Sequence, residues 1–390
     1  MSFSRRSAWD RSPNLLARQL QARHEAALEV LDLTHSNPTT CGLPYSNELL
    51  APLADPASLV YSPEPLGMLS AREAIAQHYA ERGVRVSPEQ ILLTASTSEA
   101  YSFLFKLLAD PGDVVAIPSP SYPLFDFLAE LDGVQLVPYR LSWDGSWSLD
   151  LESARELLRI HRDVRALLLV SPHNPTGHCV TRAEQDALIE LAKEHAVALV
   201  ADEVFADYVF AESSTRAPSL AARSETLSFT LSGLSKVVGL PQLKLGWMVA
   251  SGPEPERREA MERLEIIADT YLSVATPVQH ALPKLLRSGE TVRSAILDRL
   301  RRNRAQLEAA RPTEATWDVL RSEAGWYALL QVSRTRSEEE WCRASLDEGV
   351  WVHPGYFFDF ERKGLLVISL LTEETIFDRA LPRLVKVLGS

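Results

Sequence analysis

From about residue 90 to residue 252 the chain alternates short apolar runs with longer amphipathic stretches. The runs fall at residues 91–93, 114–118, 134–139, 166–171, 198–201, 226–231 and 245–251, and most are continuously apolar. Strands covered by helices on both faces have that texture, whereas a sheet with one wet face alternates apolar with polar positions. The intervening stretches read as helices. In residues 181–195, Thr181 and Glu184 stand three apart, as in a capping box, ahead of Leu188, Ile189 and Leu191. Strand and helix in alternation predict an α/β domain with a mostly parallel sheet.

After residue 285 the texture changes. Residues 290–310 read as one long charged helix, with Val292, Ile296, Leu297 and Leu300 on one side, and Pro312 ends it. Strand-like pieces at 326–332 and 365–370 and helical ones at 337–348 and 373–387 predict a smaller α+β domain. The first forty or so residues read as an arm and a strand that joins this smaller domain. The expected division is therefore 1–45, 46–285 and 286–390. Arg301, Arg302 and Arg304 read as a solvated helix face rather than a basic patch.

Composition narrows the field. At 390 residues the chain can bury two substantial cores, and 46% hydrophobic with 24% charged residues is ordinary for a globular protein. A net charge of −12 repels phosphate backbones, which argues against nucleic acid as a partner. Cys41, Cys179 and Cys342 are far apart, so neither a disulfide framework nor a metal site is expected, and a reducing cytoplasm fits. Arg5 and Arg6 are followed by Asp10, Arg11 and Pro13 instead of an apolar stretch, so an export signal is not expected. No apolar run reaches the eighteen or so residues of a membrane helix, and a membrane partner is not expected either.

Three polar groups fall just past the carboxyl ends of apolar runs. Asn174-Pro175-Thr176-Gly177 follows the run at 166–171, Asp202 ends the run at 198–201, and Lys236 follows the run at 226–231 through Gly233-Leu234-Ser235. Ligands of open α/β sheets bind outside the carboxyl ends of the strands, so an amide, a carboxylate and an amine should meet in one cleft.

These residues, in this order and spacing, resemble the class I/II aminotransferase family, and the resemblance runs from about residue 30 to the C-terminus. It implies the fold-type I architecture: a large domain binding pyridoxal 5'-phosphate (PLP) with a mostly parallel seven-stranded sheet between helices, plus a smaller α+β domain. Lys236 would carry PLP as a Schiff base and, once freed by substrate, move the proton between the α-carbon and the cofactor. Asp202 would pair with the pyridine nitrogen and keep it protonated. Asn174 would hold the phenolic oxygen beside the substrate, and Tyr122 would stack on the ring. Thr97 and Ser98, at the start of a helix near residue 99, would bind the phosphate with Ser235 and Lys244. Tyr61 resembles the tyrosine that reaches the phosphate in the neighbouring subunit, which implies a homodimer with shared sites. Tyr356, in His353-Pro354-Gly355-Tyr356, is a candidate substrate contact, as are His353 and Tyr327, though ordinary packing is the commoner role for each.

Four positions depart from the family pattern. Phe205 replaces a tyrosine that donates to the phenolic oxygen, and Tyr208 is the only nearby substitute. Gly233 stands at a common phosphate-binding serine. Lys244 replaces an arginine, keeping the charge without the planar fork. Val367, in Leu365-Leu366-Val367-Ile368-Ser369, falls where an arginine grips the substrate carboxylate, and no arginine lies between Arg362 and Arg379. Either another group holds a carboxylate, or the substrate presents something else there.

No dinucleotide or Walker loop is present, Gly233-Leu234-Ser235-Lys236-Val237 lacks the second glycine of a nucleophile elbow, and His24-Glu25 is not continued as a zinc-protease motif. The expectation is a PLP-dependent aminotransferase moving an amino group between an amino compound and a keto acid or other carbonyl acceptor. The alternative keeps the cofactor but runs elimination, cyclisation or other α-carbon chemistry. A non-catalytic regulator, whose usual sign is an extra nucleic-acid-binding domain, is not expected in these 390 residues with Lys236, Asp202 and Asn174 all in place.

Overall fold

The computed structural model describes residues 3–389. Its main sheet has eight strands, in the order Ile91–Thr94, Gly246–Ser251, Ser228–Gly233, Ala198–Asp202, Val164–Val170, Val114–Ser119, Gln135–Trp143 and Trp147–Leu149. The strands from Ser228–Gly233 to Gln135–Trp143 are parallel to one another, and Gly246–Ser251 is antiparallel to both neighbours. The eighth strand, beyond the seven expected, is Trp147–Leu149. It doubles back on Gln135–Trp143 through a turn in which Gly145 takes φ +101°.

The unbroken apolar character of the strands follows from burial on both faces. Val115 and Ile117 pack with Tyr101, Phe103 and Leu104 of helix Thr97–Leu108 and with Leu264 of helix Glu254–Tyr271. Val114 and Ala116, on the other face, pack with Leu157 of helix Leu151–Ile160 and with Leu188 and Leu191 of helix Arg182–His195. That last helix is capped reciprocally: Glu184 N–H donates to Thr181 Oγ1 at 3.2 Å, and Thr181 N–H to Glu184 Oε2 at 2.7 Å. Such a cap contributes about 1 kcal/mol.

The smaller sheet is wholly antiparallel, in the order Asp318–Val319, Tyr327–Gln331, Leu365–Ser369, His353–Pro354. Val292, Ile296 and Leu300 of helix Glu290–Ala309 pack in its core with Phe377 and Leu384 of helix Glu374–Leu388. Near the N-terminus, Leu31–Asp32 pairs in parallel with Val350–Trp351. Arg302 and Arg304 of the long helix bind Glu374 and Glu308 at 2.7 and 2.8 Å, which is the behaviour of a solvated face. No helix among the described residues is long and apolar enough to cross a membrane.

Candidate active site

Asn174, Asp202 and Lys236 line one cleft at the carboxyl ends of the parallel strands, together with Thr97, Ser98, Tyr122, Ser235 and Lys244. Asp202 is the last residue of its strand and is buried. Its Oδ1 accepts the Val204 amide at 3.1 Å and its Oδ2 accepts the Tyr101 hydroxyl at 2.9 Å. Burial pushes the carboxyl's pKa up, and the two donors and the Lys236 charge pull against it without cancelling it.

Lys236 sits on the single turn Leu234–Val237 that follows strand Ser228–Gly233. Its Nζ lies 4.4 Å from the centre of the Trp326 ring and 5.5 Å from that of Phe205. Burial lowers the ammonium pKa to about 8, with Asp202 acting in the opposite sense. The amine therefore changes charge close to neutral pH. Asn174 Oδ1 is buried with no hydrogen-bond partner. A buried amide atom left so is costly unless a ligand or water completes it.

At the other end, Ser96 caps helix Thr97–Leu108, its Oγ accepting Glu99 N–H at 3.2 Å. The first turn of that helix thus presents amide and hydroxyl donors, with the dipole's positive end, to the cleft. The loop can settle there because Gly246 has no side chain: a Cβ on it would stand 3.1 Å from Thr97 N and 3.2 Å from Thr94 Oγ1.

A family model described as "Aminotransferase class I and II" matches residues 46–384, which takes in every residue of this cleft except Ser36. The chain belongs to this family. It is 30% identical over 273 residues to the glutamate-pyruvate aminotransferase AlaA of Escherichia coli strain K12. That alignment covers 69% of this chain and 66% of the relative, so the chain spans just under two thirds of the relative's length. In fold it resembles an aminotransferase from Escherichia coli (TM-score 0.87, 24% identity, 100% and 98% of the two chains covered). It likewise resembles the alanine aminotransferase of Pyrococcus furiosus (TM-score 0.88, 21% identity, 99% of each chain). The architecture is the fold-type I one.

The cofactor of class I and II aminotransferases is PLP, and the donor set fits it. A carboxylate lies at the floor of the cleft, an unsatisfied amide beside it, and an amine of lowered pKa opposite aromatic rings. A helix N-terminus with two hydroxyls and a lysine stands where an anion would go.

The structure places each departure from the aminotransferase pattern. Gly233 pairs directly with Gly246 across the antiparallel strands, and a Cβ on Gly233 would lie 3.0 Å from Gly246 Cα and 3.1 Å from the Leu245 carbonyl. A serine would fit there only if the backbone opposite gave way by a few tenths of an ångström. Tyr208 does not replace the missing phenol, because it is fully buried and its hydroxyl donates to the Lys236 backbone carbonyl. Phe205 is buried against Trp326, with ring centres 5.4 Å apart. Lys244 is an exposed residue in the left-handed region at φ +49°. Val367 is fully buried and pairs with Leu329 and His353 in the smaller sheet.

Three residues of the sequence reading lie outside the cleft. Tyr61 is 75% exposed and borders a separate pocket with Gly67, Leu93 and Leu272. Tyr356 is exposed, its amide donates to Glu338 Oε2 at 2.9 Å, and its ring packs edge-on with Phe357, 5.1 Å away. His353 is half-buried among Trp351, Phe357 and Phe358. Tyr327 does line the cleft. Tyr101 and Trp326, which touch the two central groups, were not singled out from sequence.

Proposed function

We propose that this chain is a PLP-dependent aminotransferase that transfers an amino group between an amino compound and a keto acid or other carbonyl acceptor. The observation that carries the reading is the meeting of a buried Asp202 carboxylate and a Lys236 amine of lowered pKa in one cleft. When bound, PLP supplies the carbonyl that takes up the amino group and the ring that draws electrons from the substrate carbon.

The residues do the rest. Asp202, whose charged form the Tyr101 and Val204 donors favour against burial, would hold the proton on the ring nitrogen. Lys236 would anchor the cofactor and, when free, take a proton at Nζ and return it, which a pKa near neutrality favours. Asn174 would bind the phenolic oxygen, and Tyr122 would cover the ring. Thr97, Ser98, Ser235 and Lys244 would grip the phosphate. Tyr61 would serve a second copy of the chain; Leu59, Val60 and Tyr61 form an exposed apolar run suited to a homodimer interface. The divisions near residues 45 and 285, and a cytoplasmic setting that leaves the three cysteines reduced, belong to the same reading.

A second reading, elimination or cyclisation on an unusual amino compound, is favoured by Phe205, which offers no hydroxyl beside the amine. Glutamate, alanine and pyruvate, prompted by the relatives' names, are the first donors and acceptor to try. The test is visible absorbance of the PLP-loaded protein before and after a panel of amino acids and amines. Conversion to pyridoxamine phosphate, with the lysine-bound band abolished in Lys236→Ala, supports transamination. Release of ammonia or a cyclised product without that conversion overturns it in favour of the second reading.

A further inference from the structure

The Lys236 amine is enclosed by aromatic rings drawn from both parts of the fold. Phe205 comes from the segment after strand Ala198–Asp202, while Trp326 comes from the stretch leading into strand Tyr327–Gln331 of the smaller sheet. Trp326 is fully buried and packs edge-on against Phe205 at 5.4 Å and against Tyr208 at 5.3 Å. Tyr208 in turn holds the Lys236 backbone carbonyl. The indole is the nearer ring to Nζ, at 4.4 Å. Its placement is fixed by the preceding residues. Glu323 N–H donates to the Gly177 carbonyl at 3.1 Å, Cys179 N–H to Glu323 Oε2 at 3.0 Å, and Gly325 N–H to the Tyr208 carbonyl at 3.0 Å.

An indole face carries negative charge density and attracts a desolvated ammonium more strongly than phenylalanine does. Among the described residues, Asp202 favours the charged form of an amine in this cleft, against burial that disfavours it.

We propose that Trp326 is a positioning residue for the Lys236 amine: its indole face, backed by Phe205, holds the free ammonium inside the cleft and raises its proton affinity. This rests on the aminotransferase reading, in which Lys236 must stay within reach of the substrate carbon after it leaves the cofactor. Where a phenol would hydrogen-bond, this site offers a π-face that holds the charge without fixing a donor direction.

The decisive experiment leaves the shape of the side chain intact. Trp326 is replaced site-specifically by tryptophans of increasing fluorine content in the full-length protein stripped of PLP. The rate of reductive methylation of Lys236, which needs the neutral amine, is then followed against pH by peptide mass spectrometry. The midpoint is expected to fall stepwise, by roughly half a unit to one unit with three fluorines. An unmoved midpoint overturns the proposal.

In the PLP-loaded protein, Trp326→Leu is expected to slow donor conversion by roughly tenfold or more while donor KM moves far less, and Trp326→Phe to recover part of the loss. Equal losses in both variants overturn it. A wild-type protein that converts no donor would overturn the aminotransferase reading instead, and the methylation midpoint would still decide where the amine is held.

Discussion

The Tyr101 hydroxyl donates to Asp202 Oδ2 across 2.9 Å, joining helix Thr97–Leu108 to the carboxylate at the end of a central strand. Both groups are buried, and Tyr101 packs edge-on against Phe125, whose side chain also lines the cleft. Tyr101 lines the cleft as well, and its hydroxyl acts on the charge state of Asp202.

Removing that donor should weaken the grip on PLP. A hydrogen bond to a charged group is worth about 1.5–3 kcal/mol, so Tyr101→Phe is expected to lower PLP affinity roughly tenfold to a hundredfold. Absorbance titration of stripped protein with PLP checks this. An unchanged affinity would mean that the ring nitrogen alone keeps Asp202 ionised.

The joint between the two sheets carries a pH signature. His178 is buried with Nε2 3.2 Å from Glu184 and Nδ1 3.6 Å from Glu323, with His173 also nearby as a neutral imidazole. Burial opposes its charge, but the two carboxylates prevail and raise its pKa from 6.5 to about 9. A histidine whose folded pKa is raised stabilises the fold fully below 6.5 and loses that contribution as pH climbs through about 9. The thermal midpoint should therefore fall between pH 6.5 and 9.5, and His178→Gln should flatten that decline while lowering stability at pH 6.

Gly233→Ser, which restores the residue usual in the family, is expected to be harmful here. The added atoms meet the Gly246 Cα and the Leu245 carbonyl, both backbone, so neither can swing aside. A loss of about 1–3 kcal/mol in denaturant unfolding is expected. PLP binding should weaken as well, because the displaced strand supports the Thr97 loop.

Val367→Arg is the direct test of the missing carboxylate anchor. Val367 is fully buried, in one apolar cluster with Leu320, Leu329, Phe358 and Leu365. By its register with Leu329, it shares the sheet face of Tyr327, which does reach the cleft. Burying a guanidinium in that apolar cluster is costly, so a loss of about 3 kcal/mol or more is expected, with no gain in turnover of simple α-amino acids. A stable variant with improved turnover would show instead that the side chain reaches substrate.

Much of this was readable in the sequence because it is local. The strands are buried on both faces, so their runs are unbroken; Thr181 and Glu184 are three residues apart; and Asn174, Asp202 and Lys236 each follow a strand end. The eighth strand had a signal that went unused: Asp144-Gly145 between Trp143 and Trp147 is a hairpin turn pair. Tyr101 was hidden because an aromatic in an apolar helix reads as core until its hydroxyl's partner, 101 residues away, is known. Trp326 was hidden for the same reason, since its contact with Lys236 crosses between the two sheets. The part played by Tyr208 stays open in the sequence, which cannot show which backbone carbonyl a phenol meets.

The route by which Trp326 reaches Lys236 ties chemical competence to the integrity of the whole molecule. The indole is delivered by the smaller sheet, and the bonds that seat it run to Gly177 and Cys179, just past Asn174 on the same loop. A copy whose C-terminal part has come loose would lose the ring over its amine and the clamp on its amide loop together. Such a half-folded copy is disarmed at the moment it opens, and its reactive lysine is left solvated and idle.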